Sequence, residues 1–301
     1  MATAAALSKC RRRIFIMETI LLIDGKNTAY RALFASRGNT EFRHKYHPFA
    51  VWLKFTHVWL EKFRPDAVHV FWDCHKDDIW RKKLLNEYKD HRQALPHYSD
   101  DIQTDLRRML EAAEAILPHF GVRQYYRERQ ECDDLIYSAC HALTPAKTDT
   151  RKVVIISSDS DFLQLQWSMP HVSIYLPKDQ KLAVRPDCDP AMQKALSGDK
   201  SDNIDGFRGI GPVKARRMVM NPKQLMEFLS LVDAKKFKRN LALIDLSANP
   251  AQVSNQLYVI GVMSQDVTFD KSAINELAIK HKVRGLMAEY PRIAASFKRL
   301  A

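Results

Sequence analysis

The stretch Lys152-Val153-Val154-Ile155-Ile156-Ser157-Ser158-Asp159-Ser160-Asp161 reads as a buried strand ending in two carboxylates at i and i+2. A short, continuous apolar run bounded by polar residues is the mark of a parallel strand covered on both faces. Open α/β sheets place their sites at the C-terminal ends of such strands, so Asp159 and Asp161 predict a metal site there.

Working outward, the same design recurs. Ile20-Leu21-Leu22-Ile23 ends in Asp24-Gly25, and Ala67-Val68-His69-Val70-Phe71-Trp72 ends in Asp73. Val122 to Tyr126 predicts a short strand leading to Glu131-Cys132-Asp133-Asp134 at the start of a helix reaching Leu143. Acids in a first helical turn complement the helix dipole, but three in four residues exceeds what capping needs. Helical spacing predicts further helices over Asn27–Ala35, Pro48–Phe63 and Asp101–Leu117, the last stopped by Pro118 and Gly121. The aromatics of Pro48–Phe63 repeat at core spacing, which favours packing over base stacking. Val172–Leu176 and Lys181–Val184 predict a strand pair, Pro186 to Pro190 marks a boundary, and everything after Ala191 reads as helical. The expected organisation is a basic tail over 1–19, an α/β domain over 20–190 and an α-helical region over 191–301. Met17, just before the first strand, offers an internal start, and the acid-free Met1 to Arg13 is also compatible with organelle targeting.

Gly198-Asp199-Lys200-Ser201-Asp202-Asn203 adds two more acids and opens a glycine-rich turn, Gly206-Phe207-Arg208-Gly209-Ile210-Gly211, that enters a basic helix. Glycines at 209 and 211 allow a tight turn exposing backbone N–H groups, while Lys214 and Arg216 add charge, which together predict a phosphate cradle. A glycine turn alone is weak evidence, and its position directly after the acids strengthens it.

If the strands are parallel neighbours, Asp24, Asp73, Glu131, Asp133, Asp134, Asp159, Asp161, Asp199 and Asp202 converge on one sheet edge. Each alone has an ordinary explanation as a cap, a turn former or a surface charge. Repetition at the ends of separate elements is what shifts the reading. So many carboxylates cannot all ionise without cations. Oxygen-only ligation points to Mg²⁺ or Mn²⁺ rather than zinc, and two such ions about 4 Å apart suit phosphodiester hydrolysis.

Composition agrees with that chemistry. The 301 residues carry 47 Lys+Arg against 35 Asp+Glu, a net charge of +12, which favours phosphate-rich partners although a solvated basic surface has the same count. Five scattered cysteines, Cys10, Cys74, Cys132, Cys140 and Cys188, form no C-x-x-C pair and predict reduced thiols in a cytoplasmic compartment. No apolar run is long enough to span a bilayer, so a soluble chain with no membrane partner is expected.

These motifs resemble the structure-specific 5′ nucleases, the group that includes the 5′-nuclease domain of bacterial DNA polymerase I and the phage flap endonucleases. Asp24-Gly25 with Tyr30-Arg31-Ala32 is similar to the family's opening block. Asp73 with Trp80-Arg81 and Glu87-Tyr88-Lys89-Asp90-His91-Arg92 resembles its arch block. Glu131-Cys132-Asp133-Asp134, Ser158-Asp159-Ser160-Asp161 and Gly198-Asp199-Lys200-Ser201-Asp202-Asn203-Ile204 are similar to its remaining acidic blocks. Cys74 and Cys132 depart from that pattern by small side chains.

The resemblance implies a PIN-like parallel-sheet core, a helical arch at about 75–100 and a helix-three-turn-helix module at about 196–220. It implies two metals: one among Asp24, Asp73, Glu131 and Asp133, the other among Asp159, Asp161, Asp199 and Asp202, with Asp134 serving either. Lys89 and Arg92 would contact the scissile phosphate, Tyr30 would stack on the adjacent base and Arg81 would grip the strand in the arch. Gly209, Gly211, Lys214 and Arg216 would hold duplex phosphates, with K⁺ at that turn. The implied substrate is DNA with a 5′ flap or 5′ end, extending to RNA–DNA hybrid, cut by a monomer. With no polymerase pattern following, a free-standing bacterial or phage-type nuclease is expected. A PIN-type ribonuclease and a non-catalytic DNA-structure binding module are the competing readings.

Overall fold

In the computed structural model, residues 18–38, 46–74, 79–91, 99–143 and 151–300 are described. Six strands, β1 (Thr19–Asp24), β2 (Ala67–Phe71), β3 (Arg123–Tyr125), β4 (Lys152–Ile156), β5 (Val172–Leu176) and β6 (Lys181–Leu182), form one sheet in the order β3-β2-β1-β4-β5-β6. The first five are parallel, and β6 turns back antiparallel on β5. β1 lies between β2 and β4 with Leu21, Leu22 and Ile23 fully buried, as its unbroken apolar run requires.

Register explains why the strand-end acids meet. Asp24 is level with Phe71 of β2, and Ile23 is level with Ile156 of β4. The chain beyond each of these strands therefore leaves the sheet at one height, bringing Asp24, Asp73 and Asp159 to a common edge. At β1 the strand passes directly into the helix Gly25–Arg37, capped by the Asp24 carboxylate, which accepts from the Asn27 N–H at 3.0 Å. The sharp transition requires glycine: a Cβ at Gly25 would lie 2.3 Å from the Trp72 ring and 2.6 Å from the Phe71 carbonyl oxygen.

Helices cover both faces. One core holds Leu21, Ile23, Val68 and Val70 against Gly25–Arg37, Pro48–Phe63, Asp100–Ile116 and the C-terminal helix Leu286–Phe297. The other packs Ile20, Leu22, Val153 and Ile155 against Cys132–Leu143 and contains Val259 of Gln252–Met263. A third core joins the helices Pro190–Ser197, Pro212–Val219 and Ala234–Ile244 to Cys74, Ile79 and Tyr88.

The separate helical packing does begin at the expected division near residue 190, but it does not continue to 301. Only about 190–244 forms the separate helical layer. The later helices bury Val259, Ile274, Leu286, Ile293 and Phe297 on the sheet's own cores, because their apolar stripes complete faces that the earlier helices leave partly covered. Of the basic tail expected over 1–19, residues 1–17 lie outside the described residues, and Thr19 already begins β1.

The segment expected as a helical arch, about 75–100, is described only in part. Its described part, residues 79–91, holds a short 3-10 helix at Trp80–Lys83 and packs inward: Ile79, Trp80, Arg81 and Tyr88 are all buried. Residues 75–78 and 92–98, and with them Arg92, lie outside the described residues.

Candidate active site

Asp24, Asp73, Glu131, Asp133 and Asp159 line one cavity of about 340 Å³ at the C-terminal edge of the sheet. The Glu131, Asp133 and Asp134 side chains offer carboxylate oxygens within 4.8 Å of one another, and so do those of Asp161, Asp199 and Asp202. The second trio depends on a two-stranded hairpin, β7 (Gly198–Asp199) with β8 (Ile204–Asp205), that carries Asp199 back toward Asp161. Gly198 has φ +79° there, and a Cβ on it would stand 2.3 Å from the Gly206 nitrogen.

Confinement makes these acids hard to ionise together. Burial first, and then the neighbouring Asp73 charge, raises the Asp24 carboxyl to about 7, although Asn27 and Ser157 donate hydrogen bonds to it. Burial and Asp159 raise Asp161 to about 6 against the opposing pull of Lys194. Burial, with Asp134 and Glu131 alongside, also pushes Asp133 up. Asp73 goes the other way: burial disfavours its charge, but Lys26 at 2.9 Å and the Cys132 N–H at 2.8 Å outweigh it and hold the carboxyl at about 2.

Four cations are built into this acidic edge. Lys89 stands 2.7 Å from Glu131 and 3.6 Å from Asp202, and Lys194 bridges Asp161 at 2.5 Å and Asp199 at 2.7 Å. Lys26 pairs with Asp73 as above. Arg81 contacts Glu131 at 2.8 Å and Asp134 at 3.0 Å, and its Nε donates to the Leu243 carbonyl. Tyr88 donates from its hydroxyl to Asp202 at 2.9 Å.

One expectation, that Arg81 grips a strand in the arch, is corrected here. Arg81 is 1% exposed with its guanidinium saturated inside the protein, so it is an internal counter-ion and has no face with which to grip a strand. Asp134 is 0% exposed and accepts from the Trp80 indole, Arg81 and the Glu131 N–H. It therefore anchors Arg81 from behind, while its carboxylate stays within 4.8 Å of those of Glu131 and Asp133.

Lys26, Lys194 and Tyr88 were not singled out from the sequence. Lys26 directly follows the Asp24-Gly25 strand end and Lys194 lies five residues before Asp199, but nothing local distinguishes either from a solvated lysine.

Tyr30 lines the cavity, accepts from Gln103 Nε2 at 2.9 Å and stacks on Phe34 with centroids 6.2 Å apart. The glycine turn is exposed: Gly209 has φ +75°, Gly211 caps Pro212–Val219, and no atom lies within 4 Å of a Cβ built on either. Lys214 is exposed on the first turn of that helix, whereas Arg216 is paired with Asp187 through two nitrogens.

A mostly parallel α/β sheet thus carries an acidic edge on which two carboxylate sets could hold metal ions. The family model for the 5′-3′ exonuclease N-terminal resolvase-like domain matches residues 19–192, and the chain belongs to that family. It is 26% identical over 306 residues to the 5′-3′ exonuclease of Mycoplasma pneumoniae, covering 92% of this chain and 100% of that protein. It is 29% identical over 259 residues to DNA polymerase I of Chloroflexus aurantiacus, covering 80% of this chain and 26% of the polymerase, so the chain spans about a quarter of such relatives. The fold is shared with the bacteriophage T5 flap endonuclease in a complex with DNA and metal ions, at TM-score 0.61 and 18% identity, over 88% of this chain and all of that one. It is shared also with the T5 5′-exonuclease carrying zinc, at TM-score 0.57 and 18% identity, over 89% of this chain and 100% of that one. No described helix is long and apolar enough to cross a membrane.

Proposed function

We propose that the protein hydrolyses phosphodiesters near 5′ ends or 5′ flaps of DNA, using two divalent cations, Mg²⁺ or Mn²⁺. The observation that carries this reading is the convergence of carboxylates from five separate chain segments on one sheet edge, with no histidine or cysteine among the proposed ligands. The raised Asp24 and Asp161 carboxyls fit a centre completed by added positive charge.

Asp24, Asp73, Glu131 and Asp133 would hold one ion, and Asp159, Asp161, Asp199 and Asp202 the other. When bound, such ions supply an activated water and charge stabilisation at the leaving oxygen. Lys89, which pairs with Glu131 and Asp202, would bind a non-bridging oxygen of the scissile phosphate and offset its developing charge. Tyr30 offers a ring on the rim for the adjoining base. The turn at Gly209 and Gly211, with Lys214, would grip the duplex backbone as a helix-three-turn-helix element, with K⁺ as a candidate ligand of its carbonyls. RNA–DNA hybrid is an allied substrate, the active species is a monomer, and the bacterial relatives fit a cytoplasmic setting.

One substrate tests this. A DNA carrying a 5′ flap on one arm and a 3′ flap on another is incubated with Mg²⁺, beside the Asp159→Asn, Asp161→Asn double variant. Cleavage confined to the 5′ flap and absent in the variant is expected. Binding without cleavage in Mg²⁺ and Mn²⁺ would identify a binding module instead, and cutting restricted to single-stranded RNA would identify a ribonuclease.

A further inference from the structure

A second cavity, of about 860 Å³, adjoins the acidic one and shares Lys26, Asp73 and Cys74 with it. Its walls come from residues 72–74 just beyond β2, from Gln124 of β3 and Tyr126 after it, from the helix Asp100–Ile116 and from Tyr258, and the proposed function gives it no role. Three aromatic residues line it: Trp72, Tyr126 and Tyr258. Two of them are held in place. The Trp72 indole donates to Gln124 at 2.9 Å, and the Tyr258 hydroxyl donates to the Tyr126 carbonyl at 2.7 Å while accepting the Tyr126 N–H at 3.2 Å. Tyr126 itself is 45% exposed. Arg107 on the rim is exposed and has no ion-pair or hydrogen-bond partner among the described residues.

The charges lining this cavity, Lys26 and Arg107 against Asp73 and Glu114, balance, so it suits a flat uncharged group better than a string of phosphates. Trp72 and Tyr258, fixed before binding, lose little freedom when they wall in such a group, and the exposed Tyr126 ring is the one open to stack on it.

Its place in the fold says which group. Along the sheet edge the order is β3, β2, β1, β4. The glycine turn follows the hairpin whose Asp199 meets Asp161 beyond β4, whereas this cavity lies beyond β2 and β3. A strand gripped at the turn and crossing the carboxylates leaves on the β2–β3 side, past Lys26. We propose that this cavity is a nucleobase subsite for the first unpaired nucleotide on the 5′ side of the cut, with Tyr126 as the stacking ring and Arg107 at the next phosphate; this rests on the 5′-nuclease reading.

The test is equilibrium binding in EDTA, by fluorescence anisotropy, of a labelled duplex with and without a five-nucleotide 5′ flap. Tyr126→Ala should weaken flap binding about tenfold and leave the flapless duplex unchanged, while Tyr126→Phe retains wild-type flap affinity. An abasic site at the first flap nucleotide should weaken wild-type binding to the same extent and add nothing to Tyr126→Ala. Unchanged flap affinity in Tyr126→Ala, or losses from the variant and the abasic site that add in full, would overturn the subsite while leaving the nuclease reading intact. Failure of the wild type to bind either DNA would remove both.

Discussion

Arg81 and Asp134 form an ion pair whose side chains are 1% and 0% exposed, directly behind the acidic cavity. Asp134 Oδ1 receives the guanidinium at 3.0 Å as a charge contact without an aligned hydrogen bond, and Oδ2 accepts from both Arg81 and Trp80. Removing one partner strands a buried charge. Arg81→Ala or Asp134→Ala should each cost about 3–5 kcal/mol of stability, and the double variant should cost less than the sum. Urea denaturation of the two single variants and the double variant checks this.

Lys194 serves the opposite end of the site, where it neutralises Asp161 and Asp199 together. Lys194→Met leaves those acids facing each other, so the melting temperature in EDTA should fall and Mg²⁺ should recover more stability than it adds to the wild type. Thermal melts with EDTA and with Mg²⁺ measure both quantities. An equal Mg²⁺ effect in the two proteins would count against metal binding between these acids.

Glycines here are not equivalent. Gly25→Ala drives a Cβ into a ring and a backbone carbonyl, and overpacking of this kind costs about 1–3 kcal/mol. Gly211→Ala meets open space and should change stability by less than about 0.5 kcal/mol. Denaturation midpoints compare the pair directly.

His47 caps the helix Pro48–Phe63 by accepting the Phe49 N–H at Nδ1, 3.2 Å away, so the cap needs the neutral ring. Burial, then Arg284, lowers its pKa from 6.5 to about 4. Between those values the unfolded chain binds a proton that the folded one does not, so this group's contribution is full above pH 6.5 and is lost as pH falls toward 4. His47→Asn keeps a capping oxygen without titrating. Its stability relative to wild type should improve by about 2 kcal/mol from pH 8 to pH 5, as read from urea midpoints at each pH.

Lys214→Ala should flatten the salt dependence of duplex binding by up to about 0.9 log unit for one lost phosphate contact. Arg216→Ala should change the slope less, because Arg216 is already paired with Asp187. Affinities measured from low to moderate salt decide it, and an unchanged slope in Lys214→Ala would take that residue out of the interface.

Local patterning determined much of this molecule. Continuous apolar runs such as Val153-Val154-Ile155-Ile156 satisfy themselves best as covered parallel strands, and an acid one to three residues beyond such a run emerges at the sheet edge, so Asp24, Asp73 and Asp159 were legible as a group. The turn through Gly209 was legible because few residues adopt its positive φ. Tertiary structure alone decided which cation faces which acid. Arg81 meets residues about 50 positions away in Glu131 and Asp134, and Lys194 meets Asp161 from another element. A lysine or arginine is polar in the sequence wherever it ends up. Only packing of Trp80 and Tyr88 beneath the site turns that segment inward and makes Arg81 part of the interior, and only closure of the helices around β2 and β3 creates the aromatic cavity beside it.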